Sequence, residues 1–106
     1  MVRRDGAADS AELRRLRRRI DILDRRIVAL LNERAGLALE TGRAKAAAGQ
    51  RAIRDLDRER EVLIRVAVTN AGPMPQADLL ALYRRLFTAT RSLEAADRRR
   101  AEAGDD

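Results

Sequence analysis

Leu13, Leu16, Ile20, Leu23, Ile27 and Leu30 recur at alternating spacings of three and four. That alternation places them on one stripe of an α-helix. Extended along the chain, it reaches Arg34, then Leu37, then Thr41, so an arginine stands where the pattern calls for a leucine. The stretch from Leu13 to about Ala48 therefore reads as one long helix, capped at its start by Asp9 or Ser10 with Glu12 in its first turn. Such a helix spans ~55 Å at 1.5 Å per residue. Gly36 and Gly42 lie inside it, and Gly49 ends it before a short loop from Gln50 to Ala52. For the two internal glycines, close helix packing is preferred over room for a ligand.

A second helix is expected from about Arg54 to Asn70, on a seam of Leu56, Glu59, Leu63, Val66 and Asn70. Again one seam position is charged. Asp55, Arg58 and Glu59 stand at i, i+3 and i+4 and share a face. Ala71, Gly72, Pro73 and Pro75 break the chain. A third helix is expected from about Gln76 to Ala101, with Leu79, Leu82, Tyr83, Leu86, Phe87, Thr90 and Leu93 on its apolar face. The fold class is all-α, in a single domain of residues 1–106, with 1–9 and 102–106 expected to be disordered ends. The first helix is about twice as long as the second, so part of its seam lacks cover from its own chain. A dimer in which two long first helices pack together supplies that cover.

A buried cation needs an anion, so Arg34 on the seam calls for one. Lys45 follows Arg34 by eleven residues, which puts the two ~20° apart around the axis and ~16 Å apart along it. Two cationic side chains so placed suit a small anion charged at both ends. The chain has no cysteine and no histidine, which removes disulfides, thiolate chemistry, the usual proton shuttle and the usual metal ligand. The net charge of +6 favours anionic partners in general, although a compositional bias toward Arg and Ala explains it as well. No apolar leader is seen in Met1 to Ser10 and no apolar run is long enough to span a membrane, so a cytoplasmic location is expected.

The run Leu16-Arg17-Arg18-Arg19-Ile20-Asp21-Ile22-Leu23-Asp24, followed by Leu30-Leu31-Asn32-Glu33-Arg34, resembles the opening of the all-helical chorismate mutases. Gly42-Arg43-Ala44-Lys45 resembles the end of that family's first helix, and Ile53-Arg54-Asp55-Leu56-Asp57-Arg58-Glu59-Arg60-Glu61 its second signature. The resemblance covers roughly residues 13 to 90 and implies an intertwined homodimer with two shared active sites. It also implies a Claisen rearrangement of chorismate to prephenate, on the route to phenylalanine and tyrosine. That reaction needs no cofactor, metal or nucleophile. It needs a dianion held in its reactive shape, with positive charge beside the breaking ether bond.

The resemblance assigns roles residue by residue. Arg34 holds one substrate carboxylate, and Arg17 does similar work from the partner chain. Lys45 contacts a carboxylate and the ether oxygen. Arg58 adds to the carboxylate cluster, and Glu59, with the backbone at Asp55, binds the ring hydroxyl. Each has an ordinary alternative: Arg17 as a surface residue like Arg18 and Arg19, and Arg58 with Glu59 as part of a solvated ladder with Arg54 and Glu61. On the third helix the family's Ser and Gln positions are occupied by Glu94 and Arg98. Arg98 can replace the donor to the ether oxygen, whereas Glu94 repels a carboxylate; the two can also pair at i, i+4. A shifted register instead brings Ser92 or Thr90 inward.

Chorismate is the first expectation for the substrate. The second is 4-amino-4-deoxychorismate, used in antibiotic biosynthesis, because an extra carboxylate suits its amine. Pyruvate elimination from isochorismate is third. A basic helical dimer that binds nucleic acid or protein is the competing class. It is disfavoured because the key cations lie on the apolar seam and stacking aromatics are nearly absent.

Overall fold

The computed structural model describes residues 10–51 and 54–104 and contains three α-helices. These are α1 (Ala11–Ala47), α2 (Leu56–Thr69) and α3 (Gln76–Gly104). The chain divides into two units, 1–34 and 35–106.

In the first unit, Ser10 caps α1. Its Oγ accepts from the Leu13 amide at 3.0 Å and its carbonyl accepts from Arg14 N at 3.1 Å. Asp9, the other expected cap, lies outside the described residues, as does the rest of the 1–9 segment. Every residue from Ala11 to Glu33 is exposed. The seam is included: exposure runs from 36% at Leu13 to 59% at Leu30.

In the second unit, α1 ends in a Schellman motif. Gly49 takes φ +76°, its amide donates to Ala46 O at 3.0 Å, and Gln50 N reaches back to Lys45 O at 2.9 Å. The expected stop at Gly49 is thus seen, with the last helical residue at Ala47 rather than Ala48. Ala52 and Ile53 lie outside the described residues.

α2 is shorter than expected at its start. Asp55 is the cap and not part of the helix: its Oδ1 accepts from Arg58 N at 2.9 Å, and its carbonyl accepts from Glu59 N at 3.0 Å. Arg54 therefore precedes the helix. Asn70 closes the other end, donating from Nδ2 to Met74 O and accepting from Gly72 N, both at 3.0 Å. These bonds fold the 70–75 segment into the turn that leads to α3.

α2 and α3 form an antiparallel pair, in which Glu59 near the start of α2 meets Arg91 fifteen residues into α3. The half-buried positions of α2 are Glu59, Val62, Leu63, Val66 and Ala67. Phe87 is the one buried side chain among the described residues, and Tyr83 packs edge-on against it with ring centroids 6.3 Å apart. Two expected seam residues depart from the pattern: Leu56 and Leu82 are more than half exposed. α3 continues to Gly104, so residues 102–104, expected to be part of a disordered end, are helical; Asp105 and Asp106 lie outside the described residues.

The packing reason expected for the internal glycines is not found within the described residues. A Cβ on Gly36 meets nothing within 4 Å, and one on Gly42 makes only ordinary contact with Glu94.

Candidate active site

Glu59 is the anion on the α2 seam, and the fold supplies cations for it. Arg54, just before the helix, donates from Nη2 and Nε to Glu59 Oε1 at 2.9 and 3.2 Å. Arg91, on α3, donates from Nη1 to Oε2. The Glu59 side chain is only 16% exposed. Its burial pushes the carboxyl pKa up, but the hydrogen bond from Arg54 and the charges of Arg91 and Arg54 outweigh that, so the pKa lies below the ordinary value. Glu59 is therefore an ionised hydrogen-bond acceptor at neutral pH.

Arg58, its neighbour, behaves differently. Its guanidinium pairs with Glu61 at 2.6 Å, and both side chains are more than half exposed. Arg58–Glu61 and Arg54–Glu59 are thus pairs of the ladder that the sequence suggested, and Glu59 adds Arg91 of α3 as a second partner.

A second ionic contact joins the end of α1 to α3. Arg43 grips Asp97 with two parallel bonds, Nε to Oδ2 at 3.0 Å and Nη2 to Oδ1 at 2.7 Å. The hydrogen bond from Arg43 lowers the Asp97 pKa against a smaller desolvation effect, with further help from the charges of Arg43, Arg100 and Arg98. Glu94, one turn earlier on α3, lies against Gly42, with its Oε2 3.6 Å from where a Cβ would stand. Gly42 is three residues before Lys45, so Glu94 reaches the same end of α1 that carries the half-buried Lys45.

Of the other expected site residues, Arg17 is exposed and Arg34 is half-buried on α1. Arg98 is exposed, and the alternative i, i+4 pair with Glu94 is not seen among the described residues, where Glu94 lies against Gly42 of α1. Thr90 is half-buried and Ser92 is exposed. Glu59 is thus brought together with Arg54 and Arg91, and Glu94 with Gly42.

Sequence reasoning missed Arg91. The signal was available: Tyr83, Phe87 and Arg91 stand at i, i+4 and i+8 on one helix face, and an anion on the α2 seam calls for a cation opposite. It also missed the Arg43–Asp97 pair, since nothing in the spacing links positions 54 residues apart.

Among the described residues, no group of three His, Cys, Asp or Glu side chains is placed to hold a metal, and no helix is long and apolar enough to cross a membrane.

The fold is a small all-helical one with charged residues on its seams. Residues 16–95 match the family model for chorismate mutase type II, and the chain belongs to that family. It is similar to the bifunctional chorismate mutase/prephenate dehydratase of Aquifex aeolicus, at 40% identity over 87 residues, covering 78% of this chain and 24% of that protein. The corresponding bifunctional protein of Stutzerimonas stutzeri is 34% identical over 91 residues, covering 82% of this chain and 25% of that protein. This chain therefore spans about a quarter of the length of these bifunctional relatives. Among solved structures it is similar to form II of the chorismate mutase from Thermus thermophilus, at 33% identity and a TM-score of 0.74. That match covers 79% of this chain and 94% of the Thermus chain.

Proposed function

We propose that the chain is a chorismate mutase, an isomerase that converts chorismate to prephenate in aromatic amino acid biosynthesis. The observation that carries this reading is the family match over residues 16–95, which includes Arg17, Arg34, Lys45, Arg58 and Glu59 and ends before Arg98. The chemistry agrees with the composition. In the rearrangement one C–O bond breaks as one C–C bond forms within a single molecule. No proton, electron or group is exchanged with the protein, so a chain without His or Cys is not handicapped. The protein's task is to hold the dianion in a compact conformer and to place positive charge at the ether oxygen.

In this reading Arg34 binds one substrate carboxylate through its guanidinium fork, and Arg58 adds charge to the carboxylate cluster. Lys45 contacts a carboxylate and the ether oxygen. Glu59 accepts from the ring hydroxyl, helped by the backbone at Asp55. Glu94 and Arg98 take the third-helix positions, Arg98 beside the ether oxygen.

The functional unit is a cytoplasmic homodimer of this domain, with Arg17 of a second copy completing each site. The uncovered seam from Leu13 to Leu30 supports the dimer, because six half-exposed Leu and Ile side chains are worth several kcal/mol, on the order of 1 kcal/mol each, once covered.

The test is turnover of chorismate by the purified chain, with the product identified by mass. Conversion to prephenate is the expected result. Absence of any turnover by a folded dimer overturns the reading.

A further inference from the structure

The charges around Glu59 bear on which ring substituent the site accepts, an inference that rests on the role given to Glu59 above. Its carboxylate is enclosed by two guanidiniums from different parts of the chain. Arg54 approaches Oε1 from before α2, and Arg91 reaches Oε2 from α3. Arg91 is itself steadied by a 3.2 Å bond from its Nη2 to Thr88 Oγ1. The nearby Asp55 carboxylate is turned into the cap of α2, and Glu61 is occupied by Arg58. Glu59 and its two arginines together carry a net charge of +1, while Asp55 keeps its charge and directs it at the Arg58 amide.

That sign matters for the substrate. A lone carboxylate attracts an ammonium group more strongly than a hydroxyl. A carboxylate already flanked by two guanidiniums does not, since an incoming ammonium meets two like charges for one opposite charge. A neutral hydroxyl meets no such repulsion. It still finds an acceptor, because the two arginines present three N–H groups, one of them shared between Oε1 and Oε2, to a carboxylate with ~4 lone-pair sites.

We propose that Arg91, together with Arg54, is a specificity determinant that makes the site select a ring bearing a neutral hydroxyl over one bearing an ammonium group. Part of the selectivity arises from repulsion of the wrong substrate rather than from a stronger contact with the right one. The amine of 4-amino-4-deoxychorismate sits on a saturated carbon and is protonated near neutral pH, so it is the discriminating competitor.

The experiment compares kcat/KM for chorismate and for 4-amino-4-deoxychorismate in the full chain and in Arg91→Leu, Arg91→Lys and Arg54→Gln. The unsubstituted protein should prefer chorismate. Arg91→Leu and Arg54→Gln should each move the ratio toward the amino compound, Arg91→Leu by about tenfold or more, while Arg91→Lys, which keeps the charge, should hold it near the original value. A ratio unmoved in both neutral variants overturns the proposal, as does a preference of the unsubstituted protein for the amino compound. Arg54 is exposed and outside α2, so Arg54→Gln decides the matter if Arg91→Leu fails to fold. Turnover of neither substrate by the unsubstituted protein removes the functional reading and this proposal with it, whereas turnover of chorismate with an unmoved ratio removes this proposal alone.

Discussion

Arg58 and Glu59 are adjacent in sequence and opposite in environment. Glu59 is 16% exposed and held by two arginines, whereas Arg58 is 56% exposed and pairs with Glu61 on its own helix. Asp55, three residues before Arg58, has a different task again. Its side chain caps α2 through Oδ1. Asp55→Ala should cost about 1 kcal/mol of stability through the lost cap, while Asp55→Asn, an equally good cap, should cost little. Thermal melts of the two variants check this, and a Tm for Asp55→Ala equal to the unsubstituted value would remove the cap from the account. Lys45→Ala and Arg34→Ala should behave the other way. Each should lower kcat/KM by roughly 10²-fold or more with the helical signal intact, since a donor aimed at developing charge is worth about that much. Near-normal turnover in either variant would displace that residue from the site.

At the scale of the helices, two carboxylates on or facing α3 do the joining. Asp97 ties α3 to the end of α1 through Arg43, and Glu59 ties α2 to α3 through Arg91. Both carboxyl pKa values are lowered in the folded chain. A lowered folded pKa means that the stabilisation is fully present above the unfolded value, ~4, and is lost as pH falls below it through the folded value. Stability measured by denaturant melts should therefore be level near neutrality and fall below about pH 4. Asp97→Asn should be less stable at neutral pH and show a shallower acid drop; an identical drop in the variant would show that the Arg43 contact contributes nothing. The helices themselves were legible in the sequence because their signals are local: apolar spacing, Ser10 at one end, Gly49 at the other, Pro73 and Pro75 between. The start of α2 was misjudged by two residues because an Asp followed by Leu reads equally as a first turn or as a cap. Asp97 was not legible as a partner of Arg43, since the two are 54 residues apart and only the folding of α3 brings them near, whereas Arg91 could have been read from its place on the face of Tyr83 and Phe87. Glu94 was legible as unusual but not in direction: its turn toward Gly42 depends on the register of α3 against α1.

At the scale of the whole molecule, a helix whose residues from Ala11 to Glu33 are all exposed has little reason to persist alone, because helices in water draw most of their stability from packing an apolar face. In the proposed dimer that face is covered by a second copy, and stability becomes dependent on protein concentration. Leu23→Lys, in the middle of the seam, should shift the chain toward monomer in sedimentation and lower its Tm; a variant that remains fully dimeric would place the interface elsewhere. The sharper test uses the sharing of sites. Arg17→Ala and Lys45→Ala should each be nearly inactive as pure proteins, because each site then lacks either the partner's arginine or its own lysine. In a hybrid dimer of the two variants, one site collects both substitutions and the other collects neither. Random reassortment makes about half of the dimers hybrid, each with one intact site of two, so mixing and refolding should restore about a quarter of the unsubstituted activity. Mixtures that form hybrids by mass spectrometry yet gain no activity would mean that Arg17 and Lys45 serve the same site from one chain, or that Arg17 serves none. The helix geometry weighs against the first of these, since Arg17 and Arg34 point ~100° apart around α1.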